Sequence, residues 1–253
     1  MAMWISLPLL SLRVWFFFAG LSGVLWTLEL APSLLLTTSA REQSAILATN
    51  IAFKRGALLE SLNRIDSGLL GYIVHPELVR LKALLGVRIA EQTMQAGGTE
   101  DADHARRAES LLRYALCQSP TDGFLWLLLY SLQVSRYGLE IPTLAYLEQS
   151  YRLAPLEGWV ALLRNKQALA AMSFANPAVK RSATAEFAAL VDGRFAEEAA
   201  ANLTTVGWTE HDNLLAALGQ TDIVGRERLS RVLFRGGWKI RVPGIDLDER
   251  PWR

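Results

Sequence analysis

The sequence predicts an all-α protein in which a helical domain follows one membrane-scale apolar segment. Apolar residues recur at helical spacing beyond residue 40, and no stretch keeps the strict alternation of a half-buried strand for more than a few residues. Hydrophobic residues make up 51% of the 253 residues and charged residues 20%. This composition excludes bulk disorder and leaves an apolar excess that faces either lipid or a large core.

The N-terminal region contains the membrane-scale segment. After a short tail over residues 1–13, residues 14–36 are long enough to span a bilayer and carry a single carboxylate, Glu29. The pattern predicts a transmembrane anchor over 14–36. A cleaved signal peptide is the alternative, because Thr38, Ser39 and Ala40 resemble a processing site.

The orientation of the anchor is not decided by the charges around it. Arg13 precedes the segment, whereas Arg41, Lys54 and Arg55 follow it. A short leading tail is nevertheless a common way to send the following domain across a membrane, and long domains translocate largely regardless of charge. We therefore expect a single-pass protein of the bacterial inner membrane with a periplasmic C-terminal domain.

Successive apolar stripes predict the helices of a domain over residues 40–235. The first stripe contains Leu47, Ile51, Leu58, Leu62 and Ile65, and the second contains Leu78, Leu81, Leu85 and Ile89. Pro76 suits the first turn of the second helix, and Glu109 and Arg113 lie four apart on the outside of the next one.

Residues 119–138 carry no charge between Asp122 and Arg136. Only 13 residues separate Asp122 from Arg136, which is too short for a membrane span. Their apolar side chains point all round the helix, as in a helix buried between neighbours. The stretch therefore predicts a core helix that starts near Asp122, and a later helix begins at the cap and first-turn pair of Asn176 and Pro177.

Two helix ends resemble each other 35 residues apart, "YALCQSP" ending at Pro120 and "QSYRLAP" ending at Pro155. This pattern resembles the tetratricopeptide repeat, a two-helix unit of about 34 residues. Tyr130 and Gln133 depart from the family pattern, which prefers a small residue and an aromatic there. We predict that the repeat core consists of Ala108, Leu112, Ala115, Pro120, Trp126, Leu129, Leu147 and Pro155.

The resemblance implies a right-handed stack of antiparallel helix pairs that share one continuous core. It also implies binding of proteins or peptides on a concave surface, and it implies no catalysis. An irregular helical bundle without repeat geometry is the alternative fold.

The sequence offers no arrangement typical of catalysis, metal binding or a cofactor. His75, His104 and His211 lack metal-ligand spacing, and Glu197 and Glu198 are typical of a solvated helix face. Cys117 is the only cysteine, which excludes an intramolecular disulfide, and its position on a helix favours packing over nucleophilic chemistry. We predict a protein that is not an enzyme, without metal or cofactor.

The C-terminal region contains candidate partner-binding residues. Arg228, Arg231 and Arg235 share a helix face, which suits anionic lipid, an acidic polysaccharide or an acidic protein surface. A solvated helix flank is the alternative. Residues 236–253 predict an extended tail whose Trp238 and Trp252 either dock it onto the helices or offer it to a partner.

Together these features predict a membrane-anchored, non-catalytic adaptor or assembly factor that binds proteins in a bacterial envelope process. Polysaccharide synthesis or export is the specific process we expect. A structural subunit of a larger membrane complex and a cryptic envelope enzyme are the alternatives. The formal net charge of +1 and the scarcity of interleaved stacking aromatics argue against a nucleic-acid partner.

Overall fold

The computed structural model describes residues 15–24, 58–63, 76–96, 101–155 and 157–246. Within these ranges the chain contains eleven α-helices and no β-strand, so the all-α prediction is confirmed. The helices are α1 (15–24), α2 (58–63), α3 (Pro76–Ala96), α4 (Asp101–Gln118), α5 (Gly123–Tyr137), α6 (Leu144–Leu153), α7 (Gly158–Ala170), α8 (Pro177–Asp192), α9 (Ala196–Thr204), α10 (His211–Ala217) and α11 (Ile223–Arg235). Short 3-10 turns occur at Ile141–Thr143, Trp208–Glu210 and Leu218–Gln220.

The predicted anchor over residues 14–36 is described only in part. Helix α1 covers residues 15–24, and the side chains along it, Trp15 and Phe16 among them, are exposed. Among the helices in the described ranges, none combines the length and the apolarity needed to cross a bilayer. The rest of the segment lies outside the described residues, and the anchor stays a prediction.

The chain divides into two compact units, Met1–Gln118 and Ser119–Arg253. In the first unit α3 and α4 pack as an antiparallel pair. A β-carbon on Gly86 would lie 3.5 Å from the Cα of the buried Ala108, so small residues let the two backbones approach closely at this crossing. Glu109 and Arg113 form the expected surface ion pair on the outside of α4, at 2.9 Å.

In the second unit α5 and α6 form the next pair. Helix α5 begins as expected, because the Asp122 carboxylate accepts hydrogen bonds from the main-chain N–H groups of Phe124 and Leu125, at 3.0 and 3.1 Å. Leu129 of α5 and Leu147 of α6 are buried, as are Ala108, Leu112 and Ala115 of the first unit.

The other three positions predicted for the repeat core lie elsewhere. Trp126 is half-buried, and its indole stacks on Tyr146 and donates a hydrogen bond to the main-chain oxygen of Pro120 at 2.9 Å. Pro120 and Pro155 are exposed. Each proline follows the last residue of a helix by two positions, so it ends α4 or α6 and does not fill the core.

Helix α8 has the most neighbours in the second unit, since it contacts α6, α7, α9, α10 and α11. It begins as predicted: the side-chain oxygen of Asn176 accepts from the N–H of Val179 at 2.9 Å, and Pro177 is the first helical residue. It ends in a Schellman turn, in which the N–H of Phe195 donates to the Leu190 oxygen at 2.9 Å and Arg194 adopts a φ of 71°.

Replacing Gly225 of α11 by alanine is expected to destabilise the protein. Its β-carbon would lie 2.7 Å from the Val191 carbonyl oxygen at the end of α8, so one of the two helices must shift. Overpacking of this kind costs about 1 to 3 kcal/mol, measured as a lower urea midpoint. The matched control is Gly158→Ala at the start of α7, where nothing lies within 4 Å. Equal midpoints for the two variants would contradict the close crossing.

The burial of Tyr130 in α5 predicts that the protein loses stability at high pH. Its side chain is 2% exposed, and burial raises its pKa from 10.0 to about 12. In the unfolded chain the tyrosine loses its proton at a lower pH than in the folded protein. The protonated Tyr130 therefore contributes fully to the unfolding free energy below pH 10, and this contribution is lost as the pH rises towards 12. Between pH 9 and 11 the wild type should lose about 1 kcal/mol more unfolding free energy than Tyr130→Phe. The unfolding free energies are measured in urea at several pH values. If those of the two proteins fell in parallel between pH 9 and 11, the raised pKa of Tyr130 would be refuted.

Candidate functional site

A buried polar network joins four helices of the second unit, and sequence reasoning did not single it out. Its centre is Arg164 of α7, whose side chain is 0% exposed. All five guanidinium N–H groups find acceptors. Nη1 donates to the main-chain and hydroxyl oxygens of Ser150 at 2.8 and 3.1 Å, and Nη2 donates to the Ala154 oxygen at 2.9 Å. These main-chain oxygens lie at the C-terminal end of α6, where a cation is favourable.

Glu186 of α8 accepts the remaining N–H groups. Its Oε1 lies 3.0 Å from Nε and 2.5 Å from Nη2 of Arg164, and its Oε2 accepts from the Tyr151 hydroxyl at 2.8 Å. The Arg164 guanidinium also lies over the Tyr151 ring, 4.1 Å from its centroid. The charge pair is therefore fully hydrogen-bonded, which is the condition under which buried charges are tolerated.

Burial dominates the acid–base behaviour of this network. It raises the pKa of the Glu186 carboxyl above 4.5, although the Arg164 guanidinium acts in the opposite direction. Burial and the charge of Glu186 raise the pKa of Tyr151 well above 10.0, so the hydroxyl keeps its proton and remains a donor.

Two asparagines extend the network to α9. The Asn165 amide donates to the Ala183 oxygen at 2.9 Å, and the Asn202 amide donates to the Asn165 side-chain oxygen at 3.1 Å. The only sequence signal for these contacts was the presence of polar residues on apolar stripes. The network fixes α8 against α6, α7 and α9.

The outer side of α8 borders an open cleft of about 610 Å³, completed by residues 210–221. Its floor is made of small side chains, namely Thr184, Ala185, Ala188 and Ala189. Lys180 and Arg181 line the cleft in the first turns of α8, and Asp192 lines it at the last residue. Residues 181 and 192 are roughly 17 Å apart along the helix at 1.5 Å per residue. Glu210 also lines the cleft, so two basic and two acidic side chains border it, and Asp192 lies at the opposite end of α8 from the two bases.

Trp238 packs on the exposed side chain of Trp208, just before α10. Its ring lies 5.4 Å from that of Trp208, which in turn stacks on His211 at 4.7 Å. A Schellman turn at the end of α11 places Trp238 there, because its N–H donates to the Leu233 oxygen at 2.9 Å and Gly237 adopts a φ of 80°. Trp238 therefore docks the start of the tail onto the helices. Trp252, its proposed counterpart, lies outside the described residues.

The predicted arginine stripe lies beside a second groove. Arg231 and Arg235 are exposed and line a groove of about 490 Å³ between α11 and residues 244–246, whereas Arg228 is half-buried and does not line it. Residues 236–246 contain no helix. The rest of the predicted tail lies outside the described residues, and the extended tail over residues 236–253 stays a prediction.

The remaining candidates for chemistry lie apart. Glu197 and Glu198 are exposed, as predicted for a solvated face, but the packing prediction for Cys117 is wrong because its side chain is exposed on α4. His104 and His211 are described, and His75 is not. In the described ranges no group of three His, Cys, Asp or Glu side chains is placed to hold a metal ion.

Comparisons with protein-family models, with curated proteins and with solved structures find no match to this chain. They assign it to no family.

Removing Arg164 is expected to be strongly destabilising. Arg164→Met leaves the Glu186 carboxylate buried without a cation and should lower the unfolding free energy by about 3 to 5 kcal/mol. The double variant Arg164→Met with Glu186→Leu should lose less than the sum of the single changes, because it leaves no isolated charge. The control is Arg113→Met, which breaks the exposed pair with Glu109 and should cost less than about 1 kcal/mol. Additive losses in urea unfolding would argue against coupling of the buried pair.

Proposed function

We propose that this chain is a membrane-anchored, tetratricopeptide-like adaptor that binds protein segments in a bacterial envelope process. The observation that supports this function is the open cleft beside α8. Its volume of about 610 Å³ is within the range of peptide and ligand sites, and its small floor residues leave room for the side chains of an occupant.

The charges of the cleft define the occupant. Lys180 and Arg181 have no ion-pair partner among the described residues, so they are available to an acidic side chain. Asp192 lines the cleft roughly 17 Å away by helix geometry. An extended segment rises about 3.4 Å per residue, so acidic and basic residues about five positions apart match both charged regions. The proposed partner is a protein segment with that spacing.

The rigid support of α8 favours binding without rearrangement. The face opposite the cleft is buried and carries Val179, Ala183, Glu186, Phe187 and Leu190. Glu186 holds this face on Arg164, and Ala183 accepts from Asn165. Because the helix that forms the cleft is already held in place, little of the binding free energy is lost in ordering the cleft when a partner binds.

The predicted anchor gives the adaptor its setting. A segment held close to the membrane experiences a high effective concentration of membrane-bound partners. Polysaccharide synthesis or export is the envelope process that we propose, on the strength of the sequence reasoning alone.

The test is site-specific photocross-linking in cells with the full-length chain. A photoreactive amino acid at Ala185 or Ala189, both exposed on the cleft side of α8, should give discrete protein adducts. The same amino acid at Ala201, which is exposed on α9 away from the cleft, should not. Adding Lys180→Glu and Arg181→Glu should abolish the adducts, because both cations are lost.

Adducts that form equally at all three positions, or none at the cleft, would refute the adaptor function. If the chain were instead an obligate structural subunit of a larger complex, the protein would be unstable when expressed without its partners.

A further inference from the structure

One face of α11 lines the groove of about 490 Å³ and carries exposed apolar side chains. Ile223 near its start and Phe234 near its end are 50% and 45% exposed. Exposed apolar side chains that are rimmed by charges are typical of an interaction surface. The groove shares no lining residue with the cleft beside α8, so a partner at this face goes beyond the proposed function.

Between the two apolar ends the same face carries a carboxylate and a guanidinium, those of Glu227 and Arg231. Both side chains are exposed, and they lie four residues apart, which is the spacing at which ion pairs form within a helix. Within the described residues no ion pair forms between them, and the Arg231 side chain has a single hydrogen bond, a 3.4 Å contact with the main-chain oxygen of Glu227. Each charge is therefore available to a group of opposite sign on a partner.

Ser230 gives this face an unsatisfied hydroxyl. The residue lines the groove, is 1% exposed, and its hydroxyl makes no hydrogen bond within the described residues. Buried hydroxyls are normally hydrogen-bonded, because an unpaired one costs the free energy of its desolvation. A partner that brings a carboxylate into the groove would supply the missing acceptor.

The order of these side chains is symmetric about the middle of the helix. The midpoint of Glu227 and Arg231 is Leu229, and the midpoint of Ile223 and Phe234 lies half a residue before it. A twofold axis across α11 at this point places an acid opposite a base, in two equivalent pairs, and an apolar side chain opposite another. Two copies packed in parallel and in register would instead oppose like charges, which is unfavourable.

The charged side chains also lie on one flank of the face. Glu227, Arg231 and Arg235 follow one another at intervals of four residues, so they are neighbours along one side of α11. When a twofold axis turns a second helix end to end against the first, the same flank of both helices comes together. The charged flanks therefore meet each other, and the aliphatic stem of Arg235 covers the apolar end of the other helix.

We propose that a second copy of this chain binds to this face, with the two α11 helices antiparallel about a twofold axis near Leu229. Glu227 of each copy pairs with Arg231 of the other, and its carboxylate also accepts a hydrogen bond from the Ser230 hydroxyl of that copy. The apolar ends of the two helices pack on each other. One helix from each copy buries less than the roughly 800 Å² per partner of a standard interface, so we expect a dissociation constant in the micromolar range.

A dimer formed through α11 contains two clefts. Helix α11 meets α8 at the close crossing of Gly225 and Val191, and α8 borders the cleft. Each copy therefore carries its cleft on a helix that is packed directly against the dimer interface. Two sites on one assembly bind a partner with repeated segments more tightly than a single site does.

The test is the self-association of the full-length chain in mild detergent. A fluorophore on Cys117, which is exposed and is the only cysteine, allows sedimentation of the labelled chain to be followed as unlabelled chain is added. Glu227→Arg or Arg231→Glu should raise the dissociation constant at least about tenfold, because each change opposes like charges in both pairs. The control Arg152→Glu, exposed on α6 and outside the groove, should leave it unchanged. Circular dichroism and urea midpoints verify that the variants fold.

Mixing the two charge variants tests the antiparallel geometry. Labelled Glu227→Arg protein has two bases in the interface and unlabelled Arg231→Glu protein has two acids, so both contacts between them are again complementary. The mixture should recover the wild-type dissociation constant within about threefold, although each variant alone stays monomeric.

Three results would overturn the proposal. They are a wild type that stays monomeric up to about 100 μM, a dimer that the charge changes leave intact, and a mixture that does not associate. A dimer that forms only after phosphatidylglycerol is added to the micelles would also overturn it, in favour of an anionic lipid in the groove.

Discussion

Arg164 and Glu186 form an ion pair in which both side chains are buried, and the second unit of the protein depends on how the hydrogen-bonding groups of that pair are satisfied. An ion pair removed from water is tolerated only when its hydrogen-bonding groups find partners. Here α6 contributes main-chain oxygens and the Tyr151 hydroxyl, α7 contributes the guanidinium, and α8 contributes the carboxylate. A slip of any one of these helices along its axis would leave buried hydrogen-bonding groups of this network without partners. The network therefore specifies one arrangement of the helices, whereas apolar contacts alone tolerate several.

The buried ion pair explains how α8 can be packed on one side and open on the other. Its inner face is held by the ion pair and by Asn165, and its outer face is left to border a cleft whose position is fixed. The same helix meets α11 at the close crossing of Gly225 and Val191. The groove on α11 is thereby also held in place, on a helix with its own defined packing.

The two surfaces suit an adaptor for different reasons. The cleft beside α8 combines small side chains with charges of opposite sign, which gives a partner segment both room and orientation. The lining of the groove on α11 includes Arg231, Arg235 and the hydroxyl of Ser230, which makes no hydrogen bond among the described residues.

Local features of the sequence determined the all-helical character of the described residues and several helix ends. Asp122, Asn176 and Pro177 act through neighbours within three residues, so their roles follow from the chain alone. Contacts between helices decided the rest. Periodicity does not tell whether a helix face meets another helix or solvent, so Cys117 proved exposed, Trp126 half-buried and Arg164 fully buried. Glu186 lies 22 residues beyond Arg164, and only the packing of α7 on α8 makes them partners. A buried arginine is stable only because distant segments supply its acceptors, and this is the information that tertiary structure adds.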